Sequence, residues 1–394
     1  MTRPLLARAT FKHRLSERIA YRVLSLSVLK NDPTRAFVFL GLTSAALSAW
    51  MSNVAVAAMM LPVAQSVLVA MIPTGAPVAP RFYGAALMLI VAYSASLGGL
   101  FTPIGTPPNL IGIGLIEQAT GARISFIGWI AQVFPVACAT LVLMMVYLAV
   151  RFRSEKAALR YDRQQMVGRY RDLGPWRMVE KRVAVALLVT VALWLAPPLI
   201  SLLHGPAGGF LNARLPEAVA PLAVAAVLFW LSEDGGEGSA PILVLDDLRE
   251  IDWPVIVLFG GGMCLGSLMI QTGLATAFGE MLAAYVPSGQ NPLLVLIFCL
   301  LAIAVSETTS NTASANMVVP VVVAVSQHVN GNVMQLGLAA TVACTFGFML
   351  PVSTPTNAMA YSTGYVTQRQ MIRYGVVLDL LGALLLSIWF GLVV

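Results

Sequence analysis

Charge is scarce in this chain of 394 residues: Asp, Glu, Lys and Arg together make up 11% of it, against about 25% in a typical soluble domain. With 58% hydrophobic residues beside so little charge, the sequence cannot cover a string of water-soluble domains. Histidine occurs three times, scattered, so no zinc constellation can be drawn. The four cysteines, Cys138, Cys264, Cys299 and Cys344, stand in apolar stretches without paired spacing. They read as small core residues, not as a disulfide or metal set. A phosphate-cradling Gly-x-x-x-x-Gly-Lys-Ser/Thr loop is missing, so ATP is not the expected energy source. A nucleophile–base pair is missing too, which argues against a membrane-embedded enzyme. The first 35 residues hold eight Lys and Arg and no long apolar core, so no secretory signal is expected there.

What the chain has instead is long apolar runs. Val133–Val150, Val183–Leu203, Ala218–Leu231, Val255–Ile270, Pro292–Val305 and Val376–Val394 stand out, on the scale of the about 20 residues that cross a bilayer. The expected class is an all-α polytopic membrane protein. The net charge of +6 is no sign of nucleic-acid binding. Residues 1–35 hold eight of the Lys and Arg, and residues 151–182 hold ten, with four acids. Basic loops of this kind mark the cytoplasmic side of a membrane protein.

A short phrase occurs twice. Residues 52–63, Ser-Asn-Val-Ala-Val-Ala-Ala-Met-Met-Leu-Pro-Val, match residues 310–321, Ser-Asn-Thr-Ala-Ser-Ala-Asn-Met-Val-Val-Pro-Val, at seven of twelve positions. The same offset of 258 residues relates Ser48 to Ser306. Each copy is followed by a second echo, Gly105-Thr106-Pro107-Pro108-Asn109 and then Ser353-Thr354-Pro355-Thr356-Asn357. Two half-proteins thus carry polar, helix-breaking residues inside apolar sequence. In membrane transporters that combination points to a site at a repeat interface.

The segment 1–32 reads as a basic interfacial helix on the cytoplasmic surface. The first repeat, 33–150, holds a hairpin (34–51 and 55–71) tipped by Ser52-Asn53, a helix from 83 broken over 98–109, and a spanning helix near 124–150. A basic cytoplasmic loop, 151–182, follows. Residues 183–288 read as scaffold helices with an acidic loop (233–252), a Gly-rich helix from Trp253 and an outer amphipathic arm (274–288). Residues 289–394 hold the second hairpin, tipped by Ser310-Asn311-Thr312, a second helix broken over 351–357, and a last span. Alternation then places 22 of the 24 Lys and Arg inside, leaving Arg123 and Arg214 outside. It also sends the two hairpins in from opposite faces, so the halves are expected to be inverted repeats.

Hairpin tips and helix breaks suit ion transport. Free N–H groups at half-helix N-termini attract anions, and free carbonyls hold cations. Ser and Asn add neutral oxygens, the ligand type that hard cations prefer. Isolated small or hydroxyl residues merely help helices pack; Gly260-Gly261-Gly262 is read that way. Glu307 and Asp379 are carboxyls in apolar segments and therefore functional candidates, although Glu307 could equally bond the backbone near its tip.

These motifs, and the segment Phe348-Met349-Leu350-Pro351-Val352-Ser353-Thr354-Pro355-Thr356-Asn357 above all, resemble the divalent anion:sodium symporter family, carriers of dicarboxylates, citrate or sulfate. The resemblance covers nearly the whole chain. It implies a homodimer with a scaffold domain and a transport domain that moves like an elevator, in a bacterial inner membrane. It implies one sodium site from Ser48, Ser52, Asn53 and the Gly105 backbone, and a second from Ser306, Thr309, Asn311 and the Ser353 backbone. The substrate, a small dianion, would meet Asn53, Thr106, Ser310, Asn311, Thr312, Thr354 and Pro355. Two departures stand out. Val54 replaces a hydroxyl-bearing Thr at the first tip, and the family carries about three further spans ahead of the first hairpin. The alternatives are a sodium-independent dicarboxylate exchanger, a more distant anion permease, and a truncated relative that does not transport.

Overall fold

The computed structural model describes residues 3–71, 81–153, 155, 159–204, 219–234, 240–249, 253–274, 277, 280–281 and 292–393. The long elements are helices: α1 (Arg3–Lys12), α2 (Leu15–Leu24), α3 (Pro33–Ser48), α4 (Asn53–Met71), α5 (Arg81–Gly98), α6 (Pro107–Thr120), α7 (Phe126–Arg151), α8 (Arg163–Asp172), α9 (Met178–His204), α10 (Val219–Leu228), α11 (Trp253–Gln271), α12 (Pro292–Thr308), α13 (Asn311–His328), α14 (Val333–Ala343), α15 (Pro355–Ser362) and α16 (Gln368–Ile388). Among the described residues, the stretches Asn53–Met71, Phe126–Arg151 and Gln368–Val393 are long and apolar enough to cross a membrane. The outer arm expected over 274–288, and Arg214, lie for the most part outside the described residues.

Local chemistry sets many helix starts. Asp32 accepts the Thr34 amide at 2.8 Å, with Pro33 in the first turn of α3. Ser125 accepts the Gly128 amide at the head of α7, and Asn332 does the same for Met334 at α14. Thr367 and Gln370 form a reciprocal capping box that opens α16.

The two halves are built alike. In the first, hairpin arms α3 and α4 pack on each other and on α5, and α7 closes the group. In the second, α12 and α13 pack on each other and on α14, with α16 in the corresponding place. The halves also exchange arms. The helix after the first break, α6, packs on α13 and α14 of the second half, while α15 packs on α4 and α5 of the first. One continuous core runs through both halves, from Phe37 and Met60 to Val322 and Phe346.

A smaller core stands beside it, where Leu5, Leu6, Ala9 and Leu15 meet Val179, Val183, Ala225 and Leu228 of α9 and α10. Between the two cores Trp50, Phe126 and Trp194 stack, with neighbouring ring centroids 5.4–6.4 Å apart. Gly262 of α11 lies directly against the Asn316 side chain, whereas Gly260 and Gly261 face open space. Close packing, the role read for the glycine triplet, thus belongs to one of its three members.

Three features differ from the sequence reading. Residues 3–24 form two helices, because Arg14 turns the chain through a left-handed conformation (φ 58°). These helices are also partly buried. Arg18, 1% exposed, pairs with Glu180 at 3.1 Å and donates to the carbonyls of Leu173 and Gly174. Arg8 and Lys12 both pair with Asp247, at 3.0 and 2.9 Å, so the acidic loop after α10 holds α1. Second, the basic loop contains a helix, α8, capped by Asp162. Its buried face is little more than Met166, so no apolar stripe announced it. Third, the second break opens at Cys344 rather than at Pro351, for a reason found in the hairpin tip.

Candidate functional site

Breaking a helix frees backbone groups that must find partners away from water. Both breaks solve this with side chains, and the solutions are paired. Asn109, at the start of α6, donates its amide to the carbonyls of Gly99 and Thr102, both at 2.9 Å. Asn357, at the start of α15, donates to the carbonyls of Gly347 and Leu350 at 2.7 and 3.1 Å. The Trp129 indole donates to the Leu100 carbonyl, and the Tyr93 hydroxyl to the Phe348 carbonyl. Neither asparagine was singled out as a site residue from the sequence. The duplicated Pro-x-Asn endings were the available signal.

The hairpin tips meet the breaks at two clusters of oxygens. Ser48 Oγ lies 2.8 Å from Asn53 Oδ1 and 2.6 Å from the Ala95 carbonyl. Ser306 Oγ lies 2.9 Å from Asn311 Oδ1 and 2.7 Å from the Cys344 carbonyl. A serine hydroxyl has one proton and can serve one of its two neighbours. Each half therefore gathers a hydroxyl, an amide oxygen and a backbone carbonyl around one serine proton, and in the first half the Ala95 carbonyl also accepts the Gly99 amide at 3.2 Å. Both serines are fully buried. Asn311 also donates to the Thr345 carbonyl at 3.2 Å. With the carbonyls of 344 and 345 turned to the tip, they are lost to the helix ladder, and α14 ends early.

The remaining candidates fall at the edges of these clusters. Ser353 is buried and donates to the Ser306 carbonyl at 3.0 Å, which joins it to the second cluster. Gly105 packs on Gly99, and Gly99 on Asn53: a methyl on Gly99 would sit 2.7 Å from Asn53 Oδ1. Thr309 stands apart, its hydroxyl given to the Val305 carbonyl of its own helix at 2.7 Å. Ser52 is exposed and accepts the Ala55 amide. Thr106 and Thr354 are buried at the heads of α6 and α15, and Ser310 heads α13, accepting the Ala313 amide. Thr312 is half-buried, and Pro355 and Val54 are exposed. Four helix N-termini, those of α4, α6, α13 and α15, thus begin at the predicted substrate residues, each carrying partial positive charge.

Glu307 is buried and spends both oxygens on the second break, accepting the Met349 amide at 2.6 Å and the Leu350 amide at 3.0 Å. Of the two roles considered from the sequence, backbone bonding near the tip is the one observed.

A family model described as the sodium:sulfate symporter transmembrane region matches residues 4–393. A sodium-dependent dicarboxylate transporter of Staphylococcus saprophyticus is 28% identical over 383 residues, spanning 96% of this chain and 72% of that protein. An uncharacterized transporter of Methanocaldococcus jannaschii is 27% identical over 383 residues, 96% of this chain and 77% of the other. The crystal structure of the Alcanivorax borkumensis YdaH transporter, described as having an unusual topology, superposes with a TM-score of 0.61 at 15% identity, covering 100% of this chain and 86% of that one. That likeness concerns the fold alone. The chain is thus an integral membrane protein and not an enzyme, and it belongs to the sodium:sulfate symporter family of transporters.

Proposed function

We propose that this protein is a secondary transporter that couples sodium to the movement of a small divalent anion. A C4-dicarboxylate such as succinate or malate is the first candidate, with citrate and sulfate behind it. The observation that carries the reading is the doubled oxygen cluster at Ser48–Asn53–Ala95 and Ser306–Asn311–Cys344. In each, a hydroxyl, an amide oxygen and a backbone carbonyl converge, three neutral oxygens for a cation to share. Small hard cations prefer such all-oxygen, neutral surroundings. The Staphylococcus saprophyticus relative, named as sodium-dependent, supports sodium as that cation.

In this reading Ser48, Ser52, Asn53 and the Gly105 backbone hold one sodium ion. Ser306, Thr309, Asn311 and the Ser353 backbone hold the other. The substrate's carboxylates meet the helix heads at Asn53, Thr106, Ser310, Asn311, Thr312, Thr354 and Pro355, where N–H groups and partial positive charge favour an anion. Val54 removes one hydroxyl donor from the first tip, and a polar-to-apolar change of this kind shifts specificity. The exchange of α6 and α15 between halves supports an inverted-repeat core that moves as one body, elevator-like, against the group built on α9 and α10. A homodimer in a bacterial inner membrane, with 151–182 cytoplasmic, completes the proposal.

The test is uptake of radiolabelled succinate into proteoliposomes, with and without an inward sodium gradient, and with citrate and sulfate as competitors. Uptake should follow the gradient. Full-rate uptake without sodium, stimulated by internal substrate, would instead identify an exchanger.

A further inference from the structure

Both helix breaks are fastened by the same residue in the same register. Asn109 donates its amide to carbonyls 10 and 7 residues before it, those of Gly99 and Thr102, both at 2.9 Å. Asn357 donates to carbonyls 10 and 7 residues before it, those of Gly347 and Leu350, at 2.7 and 3.1 Å. Both asparagines are fully buried. The next carbonyl along meets a different partner in each half, the Trp129 indole at Leu100 and the Tyr93 hydroxyl at Phe348. The asparagine bonds are common to both breaks.

What each asparagine supplies is a double donor. A primary amide carries two N–H groups, and two facing carbonyls fix which way it points. Both N–H groups are committed, and neither Oδ1 finds a hydrogen-bond partner among the described residues. An ionised aspartate could only accept, and a hydroxyl would bring one proton where two are used.

Each clamped glycine lies against the oxygen cluster of its own half. A methyl on Gly99 would sit 2.7 Å from Asn53 Oδ1. A methyl on Gly105 would run into the Gly99 carbonyl oxygen, the same oxygen that accepts from Asn109. In the second half, a methyl on Gly347 would run into Ser353 Oγ and sit 3.3 Å from Ser306 Oγ. Gly105 and Ser353 each stand four residues before their asparagine. Amide, glycine and cluster thus touch in series, and a close-packed interior transmits a displacement along such a series.

We propose that Asn109 and Asn357 are positioning residues for cation binding, each holding the backbone of its break where the oxygen cluster of its own half needs it. Asn109 serves the site of Ser48, Asn53 and the Gly105 backbone, and Asn357 that of Ser306, Asn311 and the Ser353 backbone. Neither asparagine touches the ion. The inference rests on the sodium reading of the two clusters and adds to each a residue outside its ligand set. An asparagine that merely closed its break would lower stability and leave the sodium response as it was.

The test is sodium-dependent thermal stabilisation of the purified full-length chain, without substrate. In Asn109→Ala and in Asn357→Ala the half-saturating sodium concentration should rise on the order of 10-fold, the scale of a lost buried hydrogen bond. Asn109→Ser and Asn357→Ser keep one donor, should fall between, and carry the test where an alanine variant does not fold. Double variants assign each asparagine to its site, because residues acting on one site are coupled and distant ones are not. Asn109→Ala with Ser48→Ala should shift the concentration by less than the product of the two separate factors, whereas Asn109→Ala with Ser306→Ala should act independently. Variants that melt lower but keep the wild-type sodium curve, or that couple equally to both serines, overturn the inference while the sodium reading stands. A wild type whose melting does not respond to sodium refutes that reading, and this inference with it.

Discussion

Replacing Ser306 by Ala removes one oxygen and one proton from the second cluster. The buried hydroxyl lies 2.9 Å from Asn311 Oδ1 and 2.7 Å from the Cys344 carbonyl. A neutral hydrogen bond is worth about 1 kcal/mol net, and a buried carbonyl left without a donor costs about 1–3 kcal/mol. Asn311 keeps its bond to the Thr345 carbonyl, so the tip stays attached and the fold should survive. For sodium, the loss of one ligating oxygen should be of similar size, about 1–2 kcal/mol, or roughly 5- to 30-fold in half-saturating concentration. Ser48→Ala removes the twin oxygen, 2.8 Å from Asn53 Oδ1 and 2.6 Å from the Ala95 carbonyl, and should have an effect of the same order. The assay is sodium dependence of succinate uptake in proteoliposomes, with sodium-dependent thermal stabilisation of purified protein as a readout that needs no substrate. If both variants fold and both keep the wild-type sodium curve, the oxygen clusters are not cation sites and the coupling argument fails.

Two further predictions concern the docking of the N-terminal helices. Glu180→Ala strips the carboxylate from Arg18, and breaking a buried pair costs about 3–5 kcal/mol; the carbonyls of Leu173 and Gly174 still accept from the guanidinium, so the loss of unfolding free energy should fall at or below the low end, with α2 losing hydrogen-exchange protection first. Asp247 links α1 to the loop after α10. Burial works to raise its carboxyl, but the Val244 amide, Lys12 and Arg8 outweigh burial and hold it below the ordinary 3.8. A depressed carboxylate stabilises the folded state above its unfolded value and loses that contribution as pH falls through the folded one. Protection of α1 should therefore be constant at neutral pH and collapse below about pH 4; Asp247→Asn should weaken it at neutral pH and flatten the profile.

The sequence by itself determined the class of molecule and the position of its unusual features. Scarce charge and long apolar runs leave the membrane as solvent. The duplicated Ser-Asn and Pro-Asn phrases located both hairpin tips and both breaks, because Pro and small polar residues interrupt apolar helices wherever they stand. Boundaries of α5 and α7 were legible for the same reason: each is a clean apolar run with a capped or broken end. The acidic loop and the basic N-terminal segment were both visible, but their pairing through Asp247, and the burial of Arg18 on Glu180, were not. Helix α8 escaped because a polar helix held by a neighbour carries no stripe of its own.

What only the tertiary structure decided is which atoms meet. The carbonyls of Ala95 and Cys344 complete the oxygen clusters, and a backbone carbonyl has no letter in the sequence. The early end of α14 follows from bonds made by Ser306 and Asn311, some 30 to 40 residues away along the chain. Glu307 and Asp379 each read as a lone buried acid. Only the return of the second break to the end of α12 gives Glu307 its partners, the Met349 and Leu350 amides, because proximity between distant segments is a property of packing and not of the order of residues.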